Sequence, residues 1–365
     1  MAGDIFDTTT PSNRAQELYY KFLTQVAHSA CRHIVIIAGN HDSPSFLNAP
    51  KSLLRALDVY VIGAACEQPD DEVLVLHDLA GLPELIVCAV PYLRDRDIRS
   101  VEAGESIDDK EQKLIDGISQ HYLAVCELAE QKRQALGSDI PIIAMGHLFT
   151  AGGQTIDGDG VRELYVGSLA HVTAGIFPEC IDYLALGHLH VPQKINDSEL
   201  KRYSGSPLPM GFGEAKQQKS VCLIRFKLRA ATLSLINVPT FQKLQQIKGN
   251  WHDIETQIKA VVSTDNHAWL EIIYDSDDVL TDLRERLEML ISGTDIELLK
   301  VKNNRIINRV LNRIDDTETL DDLNESDVFE RCLNAHDVPS EQRPELLRSY
   351  QQTLTQLHED DAHAE

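Results

Sequence analysis

The chain has 365 residues, of which 43% are hydrophobic and 25% charged, with a formal net charge of −23. That length accommodates a buried core and an appended module, and no apolar run approaches the length needed to cross a bilayer. The opening MAGDIFD has neither the basic flank nor the apolar stretch of a signal peptide, so a cytoplasmic protein without a membrane partner is expected.

Seven cysteines lie far apart with no CxxC pair, which argues against a zinc ribbon or disulfide framework and reads as buried thiols in a reducing compartment. Net charge opposes nucleic-acid binding, since such affinity comes largely from Lys and Arg on phosphates. Its distribution matters more: Asp315 to Glu365 holds 15 acidic and 3 basic residues, about half the excess. Just before it, Lys300, Lys302, Arg305, Arg309 and Arg313 form a stripe free of Asp and Glu that could meet phosphate. A solvated basic edge explains the stripe equally well.

Up to about residue 240 short β-branched runs alternate with helical stretches, the pattern of a layered α/β domain. The run Ile34 to Ala38 leads into Gly39-Asn40-His41-Asp42. Strands are expected at Val59 to Gly63, Val73 to His77 and Leu85 to Val90, then a helix over Asp109 to Leu136 stopped by Gly137-Ser138. Two further strands lead into Gly146-His147 and Gly187-His188-Leu189-His190, and ligands in α/β folds gather at such strand ends. Arg202 to Pro207, Val221 to Leu228 and Leu233 to Val238 are the last strand candidates of this part.

After Thr240 a smaller α+β unit is expected over 241–313, with helices near Trp251 to Val262 and Val279 to Ile291 and strands at Trp269 to Tyr274 and Ile296 to Val301. The remainder, 314–365, is acidic and mostly helical. Its Pro339 to Glu359 stretch reads as an amphipathic helix that could dock a partner or pack on its own cap.

Hydrolysis of a phosphodiester needs a strengthened nucleophile and neutralised phosphoryl oxygens, which two metals about 3.5–4 Å apart provide. Gly3-Asp4-Ile5-Phe6-Asp7 offers a carboxylate, Gly39-Asn40-His41-Asp42 an amide and an imidazole, and the GH motifs offer His147, His188 and His190. Any one GH is more often an ordinary turn than a ligand. All four motifs together, three of them preceded by a strand, point to a metallophosphoesterase.

The series GDxxD, GNHD, GH and GHxH resembles the calcineurin-like phosphoesterases. The Ser43-Pro44 after GNHD, Tyr203-Ser204-Gly205-Ser206-Pro207, the small cap and the acidic tail are similar to the SbcD branch. The resemblance implies a four-layer α/β/β/α sandwich with a capping domain and two divalent ions, usually Mn²⁺. It implies that Asp4 bridges both ions, that Asn40, His147 and His188 complete one site, and that His190 joins Asp4 at the other. His41 would be the catalytic, non-ligand histidine that assists the leaving oxygen, with Asp7 near the phosphate. It also implies a DNA exonuclease and endonuclease acting in repair, recombination and replication, with an SbcC-type coiled-coil ATPase partner and a homodimer within a heterotetramer.

The family's opening DxH motif precedes GDxxD by several tens of residues, and Met1 stands three residues before Asp4. A late-called start or partial sequence is the expected explanation, an inactive scaffold the alternative. A phosphoesterase for small substrates is the competing enzyme reading, since the metal cluster alone does not choose the substrate.

Overall fold

The computed structural model describes residues 1–98, 107–150, 173–264, 267–276, 280, 282–303 and seven positions between 329 and 350. The chain divides into two compact units, Met1–Thr240 and Phe241–Glu365.

The first unit is built on two sheets. Strands β1 (Ile34–Ile37) and β2 (Val59–Ile62) pair in parallel, with Ile34 opposite Val59. Met1 and Ala2 run beside β1 through one parallel bridge, Ala2 to Ile37, and Ile37 N–H donates to the Met1 carbonyl at 3.1 Å. The larger sheet comprises β3 (Val73–His77), β4 (Pro83–Ala89), β5 (Ile142–His147), β6 (Tyr183–Gly187), β7 (Gln193–Ile195) and β8 (Ser198–Tyr203), in the order β3-β4-β5-β6-β8-β7. Its four inner strands are parallel and its two edges antiparallel. A hairpin of β9 (Ser220–Lys227) and β10 (Ala230–Asn237) follows.

Parallel strands covered on both faces are apolar throughout rather than alternating, and side-chain alternation then sorts each residue to a face. Ile86, Cys88, Ile142, Ala144, Leu184 and Leu186 pack on one side against Ile118, Tyr122, Val125, Cys126 and Ala129 of the helix Ile107–Leu136. On the other side Val87, Ala89 and Met145 meet Ile37 and Tyr60 of the small sheet. The far face of that small sheet buries Ile34, Ile36, Val59 and Val61 under Tyr19 and Leu23 of helix Asn13–Ala27 and under Leu47 and Leu54. The succession is helix, sheet, sheet, helix, the expected four-layer α/β/β/α sandwich.

In the second unit β11 (Leu244–Gly249), β12 (Trp269–Tyr274) and β13 (Glu297–Asn303) form a parallel sheet in chain order. Helices Trp251–Thr264 and Leu283–Ile291 seal it with Ile254, Ile258, Val261, Leu283 and Leu287. The second helix begins at Leu283, after the expected Val279, and β11 was not anticipated. Phe329 and Tyr350 stack with ring centroids 3.9 Å apart, and Leu333 is buried. Most of Pro339 to Glu359 lies outside the described residues, as does the 313/314 boundary.

The expectation of uniformly buried cysteines is corrected. Cys88 and Cys126 are buried, Cys66, Cys180 and Cys222 half-buried and Cys31 exposed. Cys31 lies between the end of helix Asn13–Ala27 and the start of β1.

Candidate metal centre

Three strands deliver polar groups to one place. β1 runs into Gly39-Asn40-His41-Asp42, β5 ends on His147, and β6 ends on Gly187 just before His188. Asp4 enters from Ala2, whose bridge to Ile37 sets it at the same end of β1. Gly3 and Asp4 turn there with φ of +85° and +50°, a region open to glycine and tolerated by short polar residues.

His147 Nε2 lies 3.2 Å from Asp4 Oδ2 and 3.0 Å from Asn40 Oδ1. His188 Nδ1 is 3.2 Å from the same Asn40 oxygen. Ligand atoms of Asp4, His147 and His188 all fall within 4.8 Å of one another. His147 and His188 are buried, with rings 5.4 Å apart and steeply tilted. His188 has φ of +100°; such strain in a residue with a Cβ costs about 1–3 kcal/mol and concentrates at functional sites.

The donor set fits a cation. His147 Nδ1 is 2.8 Å from the Ala2 carbonyl, which only accepts, so that nitrogen carries the proton and a neutral ring leaves Nε2 as a lone pair. That lone pair faces a carboxylate and an amide oxygen. Three acceptors converging without a donor between them repel unless a proton or a cation sits among them, and mixed nitrogen and oxygen ligands suit a transition-series divalent ion.

The surroundings tune the charges. Burial lowers the His188 imidazole from 6.5 to about 3, so this ring is neutral and ready to ligate. Burial works to raise the Asp4 carboxyl, but hydrogen bonding to it, including the His41 N–H that donates to Oδ1 at 3.1 Å, holds it below the usual value.

Close approach requires small residues. A Cβ on Gly39 would strike Asp4, one on Gly187 the Ala2 carbonyl, and one on Gly3 the His147 ring.

His41 sits apart from this group: its Nδ1 is 2.8 Å from the Asp7 carbonyl and 3.7 Å from the Asp7 carboxylate, whose side chain is largely exposed. His190 also stands outside the group, with Nδ1 3.4 Å from Glu214 Oε1. In the second unit Lys302 Nζ lies 3.1 Å and Lys300 Nζ 3.9 Å from the Glu271 carboxylate, so both lysines face an acid across the sheet. Arg305 and Arg309 lie outside the described residues.

Asp42 was missed. Its Oδ2 accepts from Gly39 N–H at 2.8 Å and Ile5 N–H at 3.1 Å, and its Oδ1 from Phe6 N–H at 3.0 Å. It thereby ties the Asp4 loop to the Asn40 loop. Its position in GNHD was the only signal. Tyr203 was seen only as part of a motif; its hydroxyl donates to the Leu148 carbonyl at 2.6 Å and accepts from Thr150 N–H at 3.0 Å, fixing the chain after His147.

A family model of calcineurin-like phosphoesterases matches residues 1–192, and one described as the type 5 capsule protein repressor C-terminal domain matches 240–337. The chain is similar to the SbcD subunit of nuclease SbcCD from Escherichia coli (strain K12), at 34% identity over 364 residues, 98% of this chain and 88% of that protein. The corresponding Bacillus subtilis (strain 168) protein is 35% identical over 231 residues, 62% of this chain and 55% of its own. The Rhodobacter capsulatus counterpart is 33% identical over 230 residues, 61% of this chain and 55% of its own. Among the described residues no helix is long and apolar enough to cross a membrane.

Proposed function

The chain belongs to the calcineurin-like phosphoesterases and, within them, to the SbcD nuclease subunits, and from that membership we propose that it hydrolyses DNA phosphodiesters as the nuclease subunit of an SbcCD-like enzyme. The convergence of Asp4, Asn40, His147 and His188 carries this reading.

Asp4, Asn40, His147 and His188 would hold one divalent ion, and Asp4 with His190 a second. Mn²⁺ is the ion of choice. When bound, the ions neutralise charge on phosphoryl oxygens and strengthen water as a nucleophile.

The chain's own groups do the rest. His41 donates Nδ1–H to the Asp7 carbonyl, which fixes the ring and leaves Nε2 as the nitrogen that exchanges a proton with the leaving oxygen. Asp7 steadies that ring beside the phosphate. Asp42 holds the two ligand loops at their spacing.

Met1–Thr240 is the hydrolytic unit, 241–313 the cap that meets DNA through Lys300, Lys302, Arg305 and Arg309, and 314–365 a tail that docks an SbcC-type ATPase. Exposed Leu18, Phe22, Leu53 and Leu57, apolar side chains beside the helices that cover the small sheet, support a homodimer, and the resemblance alone sets it within a heterotetramer. Work on DNA in this way belongs in the cytoplasm.

The test is Mn²⁺-dependent cutting of duplex DNA, with and without the ATPase partner, by wild type and Asp4→Asn. Wild type should cut and the variant should lose about 100-fold or more in rate. Equal rates, or hydrolysis confined to small chromogenic phosphodiesters, would overturn the proposal.

A further inference from the structure

The Tyr203–Pro207 motif backs directly onto His190. Ser206 N–H donates to the His190 carbonyl at 3.1 Å, and Gly205, at φ of +76°, lies so close that a Cβ would press on the same carbonyl and on Pro192.

Behind this turn lies a buried ion pair. Glu214 is fully buried and Lys219 nearly so, and the two are in direct contact. Lys219 Nζ also donates to the His190 carbonyl at 2.9 Å and to Ser206 Oγ at 3.1 Å. Ser206 Oγ donates to the Leu208 carbonyl at 2.7 Å and lies 3.3 Å from Glu214 Oε2, while Oε1 takes Met210 N–H at 3.3 Å and faces His190 Nδ1 at 3.4 Å.

A buried ion pair of this kind seldom adds stability over apolar packing of the same volume, so its use must lie in what it fixes. Both partners converge on one histidine, Lys219 on its carbonyl and Glu214 on its ring. A carboxylate bound to an ammonium only accepts, so Nδ1 carries the proton and Nε2 keeps the lone pair. Carboxylates behind metal-binding histidines set tautomer and ring orientation in this way.

We propose that Glu214, held by Lys219 and the Met210 N–H, is a positioning residue that fixes His190 as its Nδ1–H tautomer and so presents Nε2 to a divalent ion. This deepens the metallonuclease reading and rests on it.

The experiment uses the full chain labelled with ¹⁵N-histidine. Long-range ¹H–¹⁵N correlation in the metal-free state reads the His190 tautomer, and calorimetry with Mn²⁺ alone reads affinity. Glu214→Gln should lose the Nδ1–H preference and weaken Mn²⁺ binding about 10- to 100-fold, and Glu214→Asp should restore part of both. Because Glu214→Gln strands a buried ammonium, Glu214→Gln with Lys219→Met provides a second, charge-free variant expected to melt cooperatively and behave the same way. A folded variant with wild-type tautomer and affinity overturns the inference. A wild type that takes up no Mn²⁺ overturns the metallonuclease reading itself, and with it the purpose assigned to Glu214.

Discussion

His147 Nε2 lies 3.2 Å from Asp4 Oδ2 while its other ring nitrogen is already given to the Ala2 carbonyl at 2.8 Å. The contact is relieved by a cation, so metal should stabilise the fold. A ligand that binds only the native state adds about 2.7 kcal/mol at 100 times its Kd. Melting of wild type should therefore rise with Mn²⁺ and fall back with a chelator. Asp4→Asn should show little of this rise; an undiminished one would remove Asp4 from the site.

Acid should act through His188. Its folded value, about 3, lies below the 6.5 of an ordinary histidine, so the unfolded chain binds the proton more readily. The stability this ring contributes is present above about pH 6.5 and is lost as pH falls towards 3. Metal-free wild type should lose stability over that window, and His188→Gln should flatten the slope. Urea titrations at several pH values measure both, and a variant with the wild-type slope would assign the acid sensitivity elsewhere.

Asp42 accepts three main-chain N–H groups, from Gly39, Ile5 and Phe6. Each buried donor left without a partner costs about 1–3 kcal/mol, so Asp42→Ala should lose about 3 kcal/mol or more in urea unfolding. Asp42→Asn keeps one acceptor oxygen and should lose less. Mn²⁺ affinity should fall in both, because the loops bearing Asp4 and Asn40 would no longer be tied. Loss of stability with unchanged affinity would make Asp42 a fold residue only.

The contrast between Asp42 and His147 shows where sequence reading stops. The motif residues Asn40, His147 and His188 were legible because an apolar strand precedes each and fixes where it emerges. Asp42 stood inside the same motif, but its work is to collect N–H groups from Ile5 and Phe6, a relation that exists only once the loops meet. Glu214 was less visible still, an isolated acid after Phe212-Gly213, and its meaning depends on Lys219 and His190 arriving beside it. Helix Asn13–Ala27 escaped notice although Ala15, Tyr19, Leu23 and Val26 recur at helical spacing along the face it packs on the small sheet. The sandwich was legible because its strands are short, continuous apolar runs with marked ends.

Lys300 and Lys302 look alike in sequence and differ in space. Glu271 is buried on the central strand β12 and bonded to Gln246 Nε2 at 2.6 Å. Lys302 is the nearer cation to it and the less exposed of the two lysines, with Nζ at 3.1 Å against 3.9 Å for Lys300. Lys302→Ala should therefore lower the stability of the Phe241–Glu365 unit more than Lys300→Ala, because it takes the closer partner from a buried carboxylate. Lys300→Ala should leave unfolding almost unchanged and act on DNA instead, reducing the salt slope of binding by about 0.9 for the one phosphate no longer neutralised. An unaltered salt slope for Lys300→Ala would mean that this lysine serves Glu271, and that the basic edge of β13 is part of the fold rather than a surface for DNA.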